Sequence, residues 1–298
     1  SRGLGDVYKR QFTNSGISVG TVFGYLATAI IIAQYSWEWV FYLFGVLGIF
    51  WYFFWNKNVT SFPEDNKFVS SDELALIKSE APSNSTAPSI PLTKLTQNLP
   101  FLAIAVATFC NNWALYTFLS YLPKFVNSPI SSGGLGIELE SSMFVYLILI
   151  PSLFSIFSLL LGGYLADTFI KKGYKVIYVR KTVNSIGFFG AALLLYLISL
   201  QDSLISVLIL LCLINFCSGI GAGGFGVNHA DLGPKYTGSL VGISGSFGMI
   251  AAIFSPIVAG YLLEITNSWN TIFYICSVIL LFGGLFYLKF ASASKQFE

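Results

Sequence analysis

Long apolar segments separated by short polar loops dominate this sequence. A helix that crosses a bilayer needs about 20 mostly apolar residues, and eight stretches of the chain meet that requirement. They cover residues 15–34, 38–56, 99–121, 140–166, 179–200, 203–228, 237–264 and 269–291. Pro151 and Pro256 fall inside two of these stretches, where neighbouring helices can re-satisfy the freed carbonyl groups. The pattern predicts an all-α polytopic membrane protein.

The amino-acid composition indicates that lipid rather than water surrounds most of this chain. Hydrophobic residues make up 55% of the 298 residues and charged residues only 10%, whereas about a quarter of a soluble domain is charged. The net charge of +2 and the lack of a basic, aromatic-rich patch argue against a nucleic-acid partner. The four cysteines lie in apolar runs without the spacing of metal ligands, so we expect neither a disulfide framework nor a metal site.

Lysine and arginine are distributed unequally between the two sides of the predicted membrane domain. If the loops alternate sides, one side receives only Lys124. The other side receives Lys57, Lys67, Lys78, Lys94, Lys171, Lys172, Lys175, Arg180, Lys181, Lys235, Lys289 and Lys295. The positive-inside rule therefore places the lysine-rich side, with the C-terminal tail at 292–298, in the cytoplasm.

Two segments lie outside the predicted spans. Residues 6–11 resemble the translation of a sequencing adaptor, so we expect residues 1–11 to be a library scar and the natural sequence to extend upstream. Residues 57–98 are polar and proline-rich, and we expect them to form a cytoplasmic linker. Within the linker, Ser70 and Glu73 fit a capping box and predict a short helix.

An internal repeat indicates two related halves. Ser-Trp followed by Phe-Tyr opens the second span at residues 36–42 and recurs at residues 268–274 in the last span. The span before each pair carries glycines four residues apart, a spacing that lets helices approach closely; these are Gly16, Gly20, Gly24, Gly238 and Gly242. We therefore interpret 12–56 as the last two spans of one half and 99–291 as a complete six-span half, so that four spans are missing. Two such halves joined by a cytoplasmic linker resemble the major facilitator fold.

Two motifs carry the family resemblance. The run at 162–168, with Gly163 and Asp167, is similar to the facilitator loop signature, in which the carboxylate pairs across a cytoplasmic gate; the alternative is a simple turn. The run at 228–236 is closer still, because Asn228, His229, Asp231 and Pro234 match the signature of the anion:cation symporter family. That family includes vesicular glutamate transporters, sialin, sodium–phosphate cotransporters and chloroplast-type anion transporters, and the last group looks nearest.

Further residues fit the same family pattern. They are Arg180 and Lys181 in the fifth span, with Asn111, Asn112, Trp113 and Tyr116 in the third. The third-span residues either line a substrate path or join helices by hydrogen bonds. Asn111 is neutral where vesicular glutamate transporters carry an arginine, so the resemblance makes glutamate the less expected substrate. We expect His229 to order the loop that follows it, with a proton relay as the alternative.

The resemblance implies a secondary transporter of a small organic anion or inorganic phosphate that works by alternating access. No cofactor is expected beyond sodium or a proton as a coupling ion, and a monomer is expected. The cations that bind the anion should lie on the missing spans, so this chain alone should not transport. The alternatives are a facilitator for an unrelated solute or a non-transporting receptor or scaffold. A single histidine and the lack of a catalytic cluster argue against an enzyme. Plasma membrane, vesicle or lysosome, and plastid all remain open.

Overall fold

The computed structural model describes residues 6–80, 92–138 and 141–297, and within these ranges all regular structure is helical. The helices are α1 (Asp6–Gln34), α2 (Glu38–Asn58), α3 (Ser71–Glu80), α4 (Leu92–Thr96), α5 (Leu99–Asn127), α6 (Ser141–Lys171), α7 (Val176–Ile198), α8 (Leu204–Ala222), α9 (Asn228–Leu232), α10 (Thr237–Thr266) and α11 (Trp269–Phe290). Three short 3₁₀ helices lie at Pro63–Asp65, Ile130–Ser132 and Pro234–Tyr236. Residues 1–5 of the predicted scar and residue 140 of the fourth predicted span lie outside the described residues.

Seven of the described helices are long and apolar enough to cross a membrane. They correspond to the second through eighth predicted spans. The first predicted span falls on α1, where the apolar segment Val19–Gln34 is shorter than the others. The all-α, multi-pass prediction is therefore confirmed, with seven clear spans and one shorter apolar helix.

The chain divides into two compact units. Of the described residues, 26–80 form the smaller unit, in which no side chain of α2 is buried. The predicted short helix of the linker is present as α3, and the Ser70 hydroxyl accepts a hydrogen bond of 3.2 Å from the Glu73 backbone N–H. This N-cap satisfies one of the free amides of the first turn.

The larger unit contains the six long helices α5, α6, α7, α8, α10 and α11. Helix α5 packs along α10 and α11, while α7 packs along α8 and α11, and α6 covers the other side of α8. Successive long helices run in opposite directions, so α5, α7 and α10 begin at the same end of the bundle. We call it the Arg180 end, and we call the opposite end, where α5 finishes, the Lys124 end.

Helix α8 is held close to its neighbours by glycines. A Cβ added at Gly187 of α7 would lie 2.6 Å from the Cα of Gly221 on α8, so the two backbones are nearly in contact there. Gly219 lies against Ser158, and Gly162 against Ile220, so α6 approaches α8 in the same way. Small residues at such crossings gain van der Waals contact that larger side chains would prevent.

The five glycines predicted to pack helices do not do so in this structure. A Cβ at any of them would meet no atom within 4 Å: Gly16, Gly20, Gly24, Gly238 and Gly242. Their four-residue spacing defines a smooth stripe on each helix, but spacing alone does not decide whether another helix faces that stripe. Among the described residues no neighbouring helix meets these glycines, so their role in packing stays a prediction.

The sixth predicted span is also too long. Helix α8 ends at Ala222 rather than at residue 228, and His229 lies on the separate short helix α9. The glycine-rich stretch between them has low helix propensity. Gly224 also lies so close to α7 that an added Cβ would be 2.7 Å from the Arg180 carbonyl oxygen.

Candidate functional site

The short helix α9 is bonded to three different long helices at the Arg180 end. The bonds join Asn228 Nδ2 to Tyr287 OH on α11 (2.9 Å), His229 Nε2 to Ser244 Oγ on α10 (2.7 Å) and Arg180 Nε on α7 to Asp231 Oδ2 (2.9 Å). Three of the four signature residues therefore point to separate neighbours. The signature forms a junction of four elements, and any displacement of α9 would have to break these bonds.

Arg180 makes the charged contact of this junction. Its side chain is only 4% exposed and that of Asp231 is 20% exposed, so the pair is largely removed from water. The guanidinium also donates from Nη1 to the Gly223 carbonyl oxygen at 3.2 Å, which anchors the glycine-rich stretch after α8. Charge-assisted hydrogen bonds of this kind are about twice as strong as neutral ones. The neighbouring Lys181 is half-buried.

His229 is buried between two oxygens. Its Nδ1 lies 3.3 Å from the Gly226 carbonyl oxygen, while the Ser244 hydroxyl beside Nε2 also lies 3.2 Å from the Val241 carbonyl oxygen. These contacts tie the loop before α9 to the first turns of α10. They involve the loop before α9, so the predicted ordering of the loop that follows His229 stays a prediction, as does the proton relay.

The other predicted residues of this end lie on nearby elements. Gly163 and Asp167 are buried on the last turns of α6, and the pairing of Asp167 across a gate stays a prediction. Pro234 is the first residue of a 3₁₀ helix, a position that needs no N–H donor. The C-terminal tail closes over this region, because the backbone N–H groups of Gln296 and Phe297 donate to the Leu232 carbonyl oxygen at 2.7 and 3.1 Å.

The four candidates on α5 do not share one face. Asn112 and Tyr116 both point at α10: the amide of Asn112 lies against Gly248, and the Tyr116 hydroxyl lies 4.0 Å from Met249 Sδ. Asn111 lies about 100° round the helix from Asn112, and Trp113 packs its ring on Phe109 at a centroid distance of 5.7 Å. Asn112 and Tyr116 therefore share a face toward α10, and the substrate path stays a prediction.

Sequence reasoning missed the partners of the signature. Tyr287 is fully buried near the end of the last apolar span, and Ser244 is buried in the α10 run that follows the signature. Asn184, one turn along α7 from Arg180, is also fully buried, and neither atom of its amide has a hydrogen-bond partner among the described residues. A polar side chain inside an apolar span was the available signal, but it does not reveal which helix lies opposite.

Comparisons with known proteins identify the group. The profile of the Major Facilitator Superfamily matches residues 12–243 and 179–296. The chain is 32% identical to the rice (Oryza sativa subsp. japonica) probable anion transporter 1, chloroplastic, over 99% of the chain and 53% of the relative. It is 30% identical to the Arabidopsis thaliana chloroplastic ascorbate transporter over 99% of the chain and 52% of the relative. It is 31% identical to Homo sapiens sialin over 95% of the chain and 57% of the relative.

The chain spans about half the length of the curated relatives it matches. These relatives belong to the groups that the signature at Asn228–Asp231 predicted, and their names describe transporters rather than enzymes. The family profile covers α2 and nearly all of α1 as well as the six-helix unit. The chain is an integral, multi-pass membrane protein that belongs to the major facilitator superfamily.

Proposed function

We propose that the protein containing this chain is a secondary transporter of a small organic anion or inorganic phosphate, working by alternating access. The observation that carries the proposal is similarity along almost the whole chain to relatives named as anion and ascorbate transporters. A junction that ties one short helix to three long ones supports it, since such a junction lets helices move together as a rigid half.

The Arg180 end is proposed to face the cytoplasm. In the six-helix unit this end carries nearly all of the lysines and arginines of the described residues, including Lys171, Lys172 and Lys289, while Lys124 lies at the other end. Short loops with such an excess are retained on the cytoplasmic side. Here the Arg180–Asp231 pair and Asp167 would stabilise the cytoplasmic gate.

The substrate path is proposed to follow the seam between α5 and α10. Asn112 and Tyr116 place an amide and a hydroxyl on that seam within a predicted membrane span, where polar groups are costly unless they serve a purpose. Sodium, protons or the membrane potential would drive transport, and the transporter would act as a monomer.

Uptake into proteoliposomes tests the proposal. The full-length protein should accumulate at least one of radiolabelled phosphate, ascorbate, sialate and glutamate, and imposed sodium, proton and potential gradients should identify the driving ion. Tyr116→Phe removes only the hydroxyl on the seam and should slow uptake several-fold. Tyr146→Phe, a matched change of an exposed tyrosine on α6, should not. Uptake of a neutral solute without uptake of any of the four anions would favour a facilitator of an unrelated solute instead.

A further inference from the structure

An open cavity lies at the Lys124 end of the six-helix unit, far from the signature junction. Its volume is about 390 Å³, which is enough for a small organic ion. The end of α5, the loop after it and the end of α10 form its walls. The polar residues among its lining are Lys124, Ser128, Ser132, Glu264 and Asn267.

Lys124 supplies the positive charge of this cavity. It is the one lysine or arginine at this end of the six-helix unit in the part of the chain that the structure describes. No carboxylate oxygen of those residues lies within 4 Å of its ammonium group, which stands over the Tyr121 ring at 5.9 Å from the ring centroid. An exposed ammonium that is not held in an ion pair is available to an incoming anion.

Three of the remaining polar groups of the cavity offer hydrogen-bond acceptors, while the Asn267 amide both accepts and donates. The Ser128 hydroxyl already donates to the Lys124 carbonyl oxygen at 2.6 Å, and the Ser132 hydroxyl donates to the Pro129 carbonyl oxygen at 2.8 Å. Both serine oxygens therefore keep only acceptor capacity, and the oxygens of the Glu264 carboxylate also accept hydrogen bonds. A ligand that fits must carry a negative charge for Lys124 and hydroxyl donors for these oxygens.

A polar stripe leads from the middle of α5 to this cavity. Every fourth residue along that stretch is polar: Thr108, Asn112, Tyr116, Ser120, Lys124 and Ser128. Residues four apart lie near one another on a helix surface, and each step turns the stripe by about 40° around the helix. Its inner end touches Gly248, and its outer end shares the cavity with Glu264. The cavity and the contacts of Asn112 and Tyr116 therefore lie at different levels along the same pair of helices, α5 and α10.

We propose that this cavity is an outer binding site for a hydroxylated organic anion, in which Lys124 binds the anionic group and Glu264 and the two serine oxygens accept the ligand's hydroxyl groups. This inference rests on the proposed transport function. The substrate would bind first at this site and then move along the seam between α5 and α10. It selects by pairing one cation with several acceptors, so an anion without hydroxyl groups fits it less well than a hydroxylated one.

Protection of Lys124 from chemical modification tests binding without requiring transport. The full-length protein in liposomes is treated with a membrane-impermeant amine-acylating reagent, and modification of each lysine is followed by mass spectrometry. The probes are gluconate, acetate and mannitol at about 10 mM, since a few exposed contacts give affinities near the millimolar range. Gluconate should slow the modification of Lys124 at least threefold, while acetate and mannitol should have much smaller effects. Lys289, at the opposite end, is the internal control in permeabilised liposomes.

Kinetics of the variant provide the second measurement. Lys124→Gln should raise KM for a transported hydroxylated anion several-fold from the Lys124 side only, with Vmax unchanged, and Lys124→Arg should restore KM. Lys289→Gln should leave both constants unchanged. Unprotected Lys124 together with an unchanged KM in Lys124→Gln would overturn the outer site while leaving anion transport intact. If gluconate protects Lys124 but the protein transports none of the tested anions, the proposed function is wrong and the proposed binding site is still supported.

Discussion

The close contact between α7 and α8 can be tested quantitatively by adding one methyl group where the two backbones meet. Gly187→Ala places a Cβ 2.6 Å from the Gly221 Cα and 3.1 Å from the Cys217 carbonyl oxygen. Carbon atoms in good contact are about 3.5–4.0 Å apart, so the new atom overlaps by roughly 1 Å. Because both obstacles are backbone atoms, no side-chain rotation can relieve the overlap, and the helices have to separate.

The expected change in the free energy of unfolding combines two opposing contributions, overpacking and helix propensity. Overpacking of a tight contact costs about 1–3 kcal/mol, and the backbone obstacle puts this site at the upper end. Replacing a mid-helix glycine by alanine returns about 1 kcal/mol of helix propensity. The net loss of about 2 kcal/mol corresponds to a fall in Tm of roughly 4–8 °C for a unit of this size.

Gly190→Ala is the matched control on the same helix. Its Cβ would lie 2.8 Å from Cys217 Sγ, the end of a side chain that can rotate. A rotamer adjustment costs about 0.5–1.5 kcal/mol, which the gain in helix propensity offsets, so its Tm should stay within about 2 °C of the parent. Both variants of the full-length protein are heated in detergent, and the fraction that remains monodisperse is measured by size-exclusion chromatography. Equal stability of the two variants would refute the close backbone contact at Gly187.

Three further predictions concern the junction at α9. Asp231→Asn leaves the Arg180 cation buried without its counter-charge and should destabilise the folded state by about 3–5 kcal/mol, seen as a large loss of Tm in the same assay. Asn228→Ala strands the buried Tyr287 hydroxyl and should cost about 1–3 kcal/mol, whereas adding Tyr287→Phe to it should cost little more; an additive double variant would contradict the bond between them. His229→Gln should fold normally and keep the pH dependence of uptake, and normal folding with that dependence lost would instead establish a proton relay.

The sequence predicted the parts of the fold that depend on local properties. The backbone groups of an apolar run of spanning length have to be satisfied by helical hydrogen bonds in lipid, so the ends of the second through eighth spans could be located to within about six residues. The N-cap at Ser70 was predictable for a similar reason, because a capping side chain and its amide are three residues apart. The shared face of Asn112 and Tyr116 also follows from helix geometry alone.

Contacts between distant parts of the chain were not predictable in the same way. Gly242 and Gly187 look equally suited to close packing in sequence, yet only Gly187 faces another backbone. The bond between Asn228 and Tyr287 joins residues 59 positions apart, and no local pattern marks the tyrosine as the partner. Such pairings depend on which helices become neighbours, and that is decided by the packing of the whole unit.

Burial and pairing also separate the roles of two cations at opposite ends of the six-helix unit, Arg180 and Lys124. Arg180 is buried, and its donors are occupied by Asp231 and the Gly223 carbonyl oxygen, so a passing anion would have to displace a carboxylate in a low-dielectric setting. Lys124 is exposed and stands in an open cavity whose other polar groups are mainly acceptors. Arg180 is therefore suited to holding helices together and Lys124 to receiving a ligand. A positive charge on a transporter helix is thus assigned a role by the contacts it already makes rather than by its charge alone.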